Sequence, residues 1–337
     1  MVSATRLEGE YCLCSKNSPL DQSEGVKIHL YRLGVEQHEH DALKSFTCAD
    51  QGSPTLLDTI ILSQVIEGAR DFVIQMNAKW NPFLLNEYGK IGHPFGCLKP
   101  SSTKSCEELL LCIAEGDKNE PEAYPVEYGH IFLVPNATNQ LSSFWDKRMF
   151  ELITKIASEV NSAAFRVFFD DGTSSVPNNM GFQACYFANP LPVESASTIP
   201  VYDRKGRSGI HVHETVDYPL KALVFTSNDS NTLANVISEA CLALHENNTA
   251  HSLMISNNGR NAFLFPQVKN LVTGCYLSAW ECCGYFVYHT KADFNQASEA
   301  EISDRMASFS FEDGAFEDLK NLCCAIADDL DTCACAE

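Results

Sequence analysis

The sequence predicts an α+β fold with antiparallel sheets and packed helices. The chain has 337 residues, of which 45% are hydrophobic and 20% are charged, and this composition can form a large buried core. Short runs that alternate like half-buried strands outnumber the runs with helical spacing. Because the strand candidates follow one another through turns more often than through helices, antiparallel hairpins are expected to dominate.

The first part of the chain begins with polar residues that show no periodicity, so residues 1–25 are predicted to be a flexible N-terminal arm. Apolar residues at helical spacing predict a helix over residues 56–69. A second apolar stripe, from Met149 to Val160, predicts a helix that faces the core. Strands are predicted at residues 26–31, 72–76, 109–113, 129–134, 165–169 and 182–187.

The second part repeats this pattern of short strands and helices. Asn257-Asn258-Gly259 lies between two apolar runs, which is a strong signal for a hairpin. Strands are predicted at residues 222–226, 252–255, 262–265 and 284–289, and helices at residues 232–245 and 316–326. We therefore divide the chain into the arm, a first half at residues 26–200, and a second half at residues 201–337 that ends in an acidic tail.

Charge and cysteine content limit the classes of partner. A formal net charge of −20 repels phosphate backbones and anionic lipid, and the tight basic cluster at residues 204–207 is typical of a solvated turn, so no nucleic-acid or membrane partner is expected. The sequence has no apolar stretch of about 18 residues and does not begin with a secretory leader pattern, so a cytoplasmic location is expected. The fifteen cysteines, scattered through apolar segments, indicate reduced and buried thiols, and neither a metal ion nor a cofactor is expected.

Five segments of the chain resemble one known family. They are residues 72–77 (FVIQMN), 125–135 (PVEYGHIFLVP), 182–194 (FQACYFANPLPVE), 255–267 (ISNNGRNAFLFPQ), and the positions Trp280, Glu281 and Gly284. Together they are similar to the plant GDP-L-galactose phosphorylases and GDP-D-glucose phosphorylases of the histidine-triad superfamily, over about residues 55–330. The resemblance implies tandem histidine-triad-like halves, with the nucleotidyltransferase active site mainly on the first.

The resemblance also implies a reaction, which in plants supplies ascorbate synthesis. A histidine of the family attacks the α-phosphate of a GDP-hexose and forms a guanylyl-enzyme, and inorganic phosphate then attacks this intermediate to give GDP. The attack needs a neutral imidazole, oriented through its second nitrogen and facing phosphate oxygens that nearby donors stabilise. A His-x-His-x-Gln run on a strand supplies this arrangement, because alternate side chains share one face.

The sequence departs from the family at the residues that this chemistry needs. Aligned on Phe182-Gln183, the two family histidines fall on Asn179 and Gly181, and Gly181 takes the place of the nucleophile. Glycine cannot form the covalent adduct, and an amide is a very poor nucleophile, so no intact catalytic residue is expected. The family's Asn-Glu-Gly-Arg loop is replaced here by residues 77–80 (NAKW), so its Glu and Arg are missing too.

Several polar residues remain candidates to line the pocket. Gln183 keeps its place in the family motif, and its amide is a neutral donor suited to phosphoryl oxygens. His130 follows a Tyr-Gly corner and opens an apolar strand. A hydrogen-bonded structural histidine is favoured at this position, with a pocket role as the alternative. The other pocket candidates are Asn77, Lys79, Asn178 and Asn179.

For two further pairs of polar residues, a structural role is favoured over a functional one. His211 and His213 form a His-x-His pair on an extended segment, but Glu214-Thr215 follows them instead of Phe-Gln. A surface or second-half strand is therefore favoured over acid–base or metal-binding work. Asp170 and Asp171 are expected in a solvated turn, and they could act as general bases only if desolvation raised their pKa.

Three functions follow as hypotheses. The favoured one is a GDP-L-galactose phosphorylase-like protein with a degenerate active site, whose cleft is retooled for another small-molecule ligand or reaction. The second is a non-catalytic regulatory pseudoenzyme that acts through protein contacts. The third is a residual GDP-hexose phosphorylase that uses another nucleophile. The expected ligand is a nucleotide or a sugar, and the expected protein partner is a second copy of the chain or a paralogue.

Overall fold

The computed structural model describes residues 3–6, 11–12, 27–34, 62–77, 109–115, 126–127, 130–135, 147–171, 182–202, 209–268 and 276–333. The strands of these residues are β1 (Ser3–Arg6), β2 (Tyr11–Cys12), β3 (Lys27–Gly34), β4 (Leu62–Val65), β5 (Val73–Met76), β6 (Leu109–Glu115), β7 (Ile131–Pro135), β8 (Phe165–Asp171), β9 (Phe182–Tyr186), β10 (Ser197–Tyr202), β11 (Ile210–Val216), β12 (Leu223–Ser227), β13 (Ala250–Ser256), β14 (Asn261–Gln267) and β15 (Tyr285–Tyr288). The α-helices are α1 (Lys147–Val160), α2 (Ser230–Glu246), α3 (Ala279–Cys282), α4 (Lys291–Gln296), α5 (Glu299–Ala307) and α6 (Asp313–Cys333).

Most strands join one antiparallel sheet that runs through both halves of the chain. Its order is β1, β3, β6, β7, β9, β8, β13, β14, β12, β11 and β10, with β2 paired to β3. The halves meet where β8 pairs with β13, in a register that runs from Val167↔Ile255 to Asp171↔His251. A helix followed by a hairpin lies on each side of this seam, as α1-β8-β9 and α2-β13-β14. The α+β fold with two related antiparallel halves is therefore confirmed.

The two faces of the sheet bury different cores. On one face, α1 and α2 pack against each other, and α6 packs against α2. Inward side chains such as Phe150, Phe182 and Leu253 fill this helix-side core. On the other face, a second core surrounds Phe72, Phe168 and Trp280. Alternation along a strand sends neighbouring residues to different cores, because successive side chains point to opposite faces.

A small second sheet covers part of the other face. Its order is β15, β5 and β4, and the β15–β5 pair is parallel. Gly284 precedes β15 with a φ of +89°, and a Cβ added there would lie 2.7 Å from Pro192 Cβ and 3.0 Å from Phe72. Only glycine fits this position without strain, because the backbone is left-handed and the space is already filled. The absence of a side chain at Gly284 thus lets the start of β15 pack directly against Pro192 and Phe72.

Two local predictions are wrong where the structure describes them. Residues 62–65 form β4 and pair with β5 from Leu62↔Met76 to Val65↔Val73, so the helix predicted over 56–69 does not exist from residue 62 onward. Cross-strand pairing outweighs the local helical spacing here. Asp170 and Asp171 belong to the end of β8 and not to a solvated turn, since both pair with β13.

The predicted hairpin agrees with the structure, whereas the predicted boundary between the halves is not tested by it. The Asn257-Asn258-Gly259 turn joins β13 to β14, with all three residues at positive φ. The boundary proposed at residue 200 falls within β10 and stays a prediction. No helix in the described ranges is long and apolar enough to cross a membrane.

Candidate functional site

The candidate site is built on β9, the strand that follows positions 179 and 181, where the family resemblance places two histidines. Phe182 and Ala184 point into the helix-side core, so alternation turns Gln183 and Cys185 toward the other face. Gln183 pairs across the sheet with Phe132 on one side and Phe168 on the other. Gln183 therefore lies on the sheet face opposite the helix-side core.

His130 lies directly before β7 and orients Gln183. The residue is only 7% exposed. The backbone N–H of Val126 donates to Nδ1 at 3.3 Å, so the proton of the neutral ring lies on Nε2, which donates to Gln183 Oε1 at 3.1 Å. Burial lowers the pKa of His130 to about 4, although the bond to Gln183 opposes this shift. His130 is thus a neutral imidazole at physiological pH, with both nitrogens engaged.

Asn77 joins the same group of residues through β5. Its Nδ2 donates to Gln75 Oε1 at 3.4 Å. Gln75 Nε2 in turn donates to Val126 O and to the hydroxyl of Tyr285, both at 2.7 Å. Since Val126 also donates to His130, these contacts connect Asn77 to Gln183 in one chain of hydrogen bonds. We call Asn77, Gln75, Val126, His130 and Gln183 the cleft network.

Trp280 packs against the cleft network from α3. Its ring stacks on Phe168 at 4.3 Å and meets the His130 ring edge-on at 5.4 Å. A capping box fixes the start of α3, because Ser278 Oγ accepts from the backbone of Glu281 while the Glu281 carboxylate accepts from the backbone of Ser278. The aromatic ring is therefore held by a short capped helix and not by a free loop.

A cavity of about 790 Å³ borders the cleft network. Tyr285 lines the cavity, accepts from Gln75 and donates to Glu127 at 2.5 Å, whereas none of the five network residues lines the cavity itself. Phe187 and Tyr218 form aromatic walls of the cavity, and Ser63 adds a hydroxyl group. This volume is within the range that small-molecule ligands occupy in proteins.

The structure brings together three of the predicted pocket residues, Asn77, His130 and Gln183. Lys79, Asn178, Asn179 and Gly181 lie outside the described residues. His211 and His213 lie on β11, five strand positions from β9, and belong to a second-half strand as favoured. In the part of the chain that the structure describes, no group of three or more His, Cys, Asp or Glu side chains is arranged to hold a metal ion.

Sequence reasoning missed three residues that shape the site. Gln75 is 1% exposed within an apolar strand, and a glutamine in such a run is the signal that could have marked it. The only sequence signal at Trp280 is its likeness to the family. Asp170 was assigned to a turn, whereas its side chain bonds residues far along the chain.

Comparison with known proteins agrees with this fold. The family profile described as "GDPGP1-like, N-terminal domain" matches residues 58–185, and "GDPGP1-like, C-terminal domain" matches residues 192–330. GDP-L-galactose phosphorylase 1 of Arabidopsis thaliana is 28% identical, over 77% of this chain and 67% of the relative. GDP-D-glucose phosphorylase 1 of Homo sapiens is 26% identical, over 52% of this chain and 50% of the relative.

A solved structure supports the fold independently of sequence. The crystal structure of yeast Ap4A phosphorylase Apa2 in complex with Ap4A matches with a TM-score of 0.53 and 10% identity, over 80% of this chain and 97% of the yeast chain. The resemblance read from the five segments is therefore confirmed. This chain belongs to the GDPGP1-like family and carries regions that match both its N-terminal and its C-terminal domain.

Proposed function

We propose that this chain is a GDP-L-galactose phosphorylase-like protein that has lost guanylyl transfer and uses its cleft for another small-molecule ligand or reaction. The observation that carries the proposal is Gly181, which stands where the family resemblance requires the attacking histidine. Without an imidazole at that position, no phosphorus–nitrogen bond can form there.

The state of His130 supports the loss of this chemistry. It is the one imidazole of the cleft network, so it is the first residue to consider as a substitute nucleophile. A nucleophilic nitrogen needs a free lone pair, but Nδ1 accepts from Val126 and Nε2 carries the proton that it donates to Gln183. His130 therefore supports the site structurally and does not replace the missing histidine.

The cavity beside the cleft network supports a retained ligand. Two polar residues that line it, Glu127 and Tyr285, are hydrogen-bonded to each other, and Gln183 carries a side-chain amide on the sheet face that points away from the helix-side core. We propose a nucleotide or a sugar as the ligand and the cytoplasm as the location. A second copy of the chain or a paralogue remains the proposed protein partner.

The decisive experiment is phosphorolysis of labelled GDP-L-galactose and GDP-D-glucose in the presence of inorganic phosphate. We expect no phosphate-dependent release of GDP and no guanylylated peptide by mass spectrometry. Release of GDP at the rate of an active relative assayed in parallel would contradict the proposal. Ligand binding is measured separately as a thermal shift with GDP, GMP and free hexoses. Stabilisation by one of them supports the retained ligand, whereas no shift with any of them favours a regulatory pseudoenzyme.

Restoring the family motif provides a matched control. The double variant Asn179→His with Gly181→His introduces both family histidines at once. Phosphorolysis by this variant, but not by the natural chain, would attribute the loss to these two positions. If the variant binds nucleotide and still fails, residues 77–80, which differ from the family, become the next site to restore.

A further inference from the structure

Asp170 lies next to the cleft network, at the end of β8 that leads toward the degenerate motif. Phe168, two residues earlier, is the cross-strand partner of Gln183 and contacts Trp280. Because alternate residues of a strand share a face, Asp170 lies on the same face as Phe168, about 7 Å farther along β8. In the sequence, Gly181 likewise precedes Gln183 by two residues. Asp170 thus places a carboxylate on the same sheet face as Gln183. It lies farther along that face, on the side of position 181.

One oxygen of Asp170 is anchored and the other is not. Oδ1 accepts from Ser252 Oγ and from the backbone N–H of Ala279, both at 2.7 Å. Gln267 Nε2 donates to the same Ser252 hydroxyl at 3.0 Å, which leaves the Ser252 proton directed at Asp170. None of the described residues donates a hydrogen bond to Oδ2, and none of their cationic groups forms an ion pair with Asp170. The carboxylate is therefore held rigidly and keeps one oxygen for another group.

The charge of Asp170 is not needed for its structural contacts. An asparagine could accept from Ser252 and Ala279 through the same oxygen, without placing a charge in a half-buried site beside Trp280. Burial raises the pKa of Asp170 to about 6, the hydrogen bonds from Ser252 and Ala279 oppose this shift, and the negative charge of Glu281 adds to it. A group that titrates near neutral pH can exchange protons during a reaction, which an asparagine cannot do.

We propose that Asp170 is the general base of a water-dependent cleavage of nucleoside diphosphate sugars in this cleft. This inference rests on the proposed function, since it assigns a reaction to the retooled site. Asp170 Oδ2 takes a proton from a water molecule as the water oxygen bonds to the α-phosphorus. The bond from that phosphorus to the bridging oxygen breaks, and its electron pair leaves with the sugar 1-phosphate. The products are a nucleoside monophosphate, the sugar 1-phosphate and a proton, which Asp170 returns to solvent.

Replacing phosphorolysis by hydrolysis is consistent with the residues of this chain. The family reaction uses an imidazole to form a covalent adduct, and position 181 offers no competing nucleophile. A positioned base is the remaining way to activate an attacking group without a metal ion or a covalent intermediate. Gln183 supplies an amide on the same face, where it can donate to a phosphoryl oxygen.

The test is hydrolysis of GDP-L-galactose and GDP-D-glucose in ¹⁸O-labelled water without phosphate, followed by mass spectrometry of the products. We expect GMP that carries the label on its phosphate. The rate should rise about tenfold per pH unit up to about pH 6 and then level off. Asp170→Asn should lower kcat at least about 100-fold and remove this pH dependence. The melting temperature of Asp170→Asn at pH 7.5 should equal or exceed that of the natural chain, whereas a purely structural role predicts a lower one.

Asp171→Asn is the matched control, because Asp171 lies on the opposite face of β8 and bonds His245 at 2.8 Å. It should leave the hydrolysis rate unchanged.

The inference is overturned if the natural chain releases no GMP, if Asp170→Asn keeps the natural rate, or if the label enters the sugar 1-phosphate alone. Phosphate-dependent formation of GDP would instead overturn the proposed function, so the two failures give different products.

Discussion

Replacing His130 by glutamine tests whether a neutral, buried imidazole holds the cleft network together. In the folded protein, burial keeps this ring neutral down to about pH 4, whereas in the unfolded chain an ordinary histidine takes up a proton below about 6.5. The unfolded state therefore binds more protons within this window. It follows that the free energy of unfolding of the natural chain falls as the pH falls from 6.5 to 4.

The size of this effect follows from the two pKa values. A decrease from 6.5 to about 4 corresponds to about 3 kcal/mol of unfolding free energy, all of which is lost once the pH is below 4. At pH 7, His130→Gln should be less stable by about 1–3 kcal/mol, because Val126 and Gln183 lose well-oriented partners. Near pH 4 this difference should vanish or reverse, since glutamine carries no ionisable group.

Urea unfolding followed by tryptophan fluorescence measures the difference, because Trp280 contacts the ring directly. The quantity of interest is the stability difference between the natural chain and His130→Gln, taken at several pH values from 7.5 to 4. Gln183→Ala is the control: it removes the acceptor but keeps the ionisable ring, so the loss of stability in acid should persist, extend to lower pH and become larger in total. A stability difference that stays constant across this range would refute the reasoning.

Three further predictions concern other parts of the structure. Glu194→Gln should cost about 3 kcal/mol in urea unfolding, because it leaves the buried Arg166 without the carboxylate that lies 2.8 Å away, and a cost below about 1 kcal/mol would contradict this. Gly284→Ala should destabilise by at least about 1 kcal/mol in thermal unfolding, whereas Gly314→Ala, in a helix where an added Cβ meets nothing within 4 Å, should be neutral or slightly stabilising. Burial raises the pKa of the Cys282 thiol well above its ordinary value, so iodoacetamide should modify it at pH 8 only after unfolding, and mass spectrometry of the native and denatured protein checks this.

Local pattern was enough to place most of the strands and the longer helices. The stripe from Met149 to Val160 is α1, and the Asn-Gly turn is the β13–β14 hairpin. These elements were predictable because each follows from residues close together in the chain. The short α4 and α5 were not predicted, since their amphipathic character is spread over only 6 and 9 residues.

The errors arise where contacts distant in sequence decide the structure. Residues 62–65 have helical spacing, but pairing with β5 makes them an edge strand. The parallel pairing of β15 with β5 joins segments about two hundred residues apart, and no local signal shows its direction. Local propensity cannot include the free energy that such pairings contribute.

The candidate site also contains residues that local sequence could identify and residues that it could not. Asn77 and Gln183 are pocket candidates from the family likeness and His130 from its place at the start of an apolar strand, and the structure places all three in one hydrogen-bonded network. Asp170 was misplaced because its partners Ser252 and Ala279 lie 82 and 109 residues away. A pair of aspartates after an apolar strand has the composition of a turn, and only the register with β13 shows that the strand continues.

The β8–β13 seam has a consequence for any attempt to express the halves separately. A fragment that ends before residue 192 would present the unpaired N–H and C=O groups of β8 to water, and the complementary fragment would present those of β13. Such bare strand edges are templates for intermolecular pairing. The fragments should therefore precipitate alone and reassemble when mixed, which makes this scaffold suitable for a split-protein reporter.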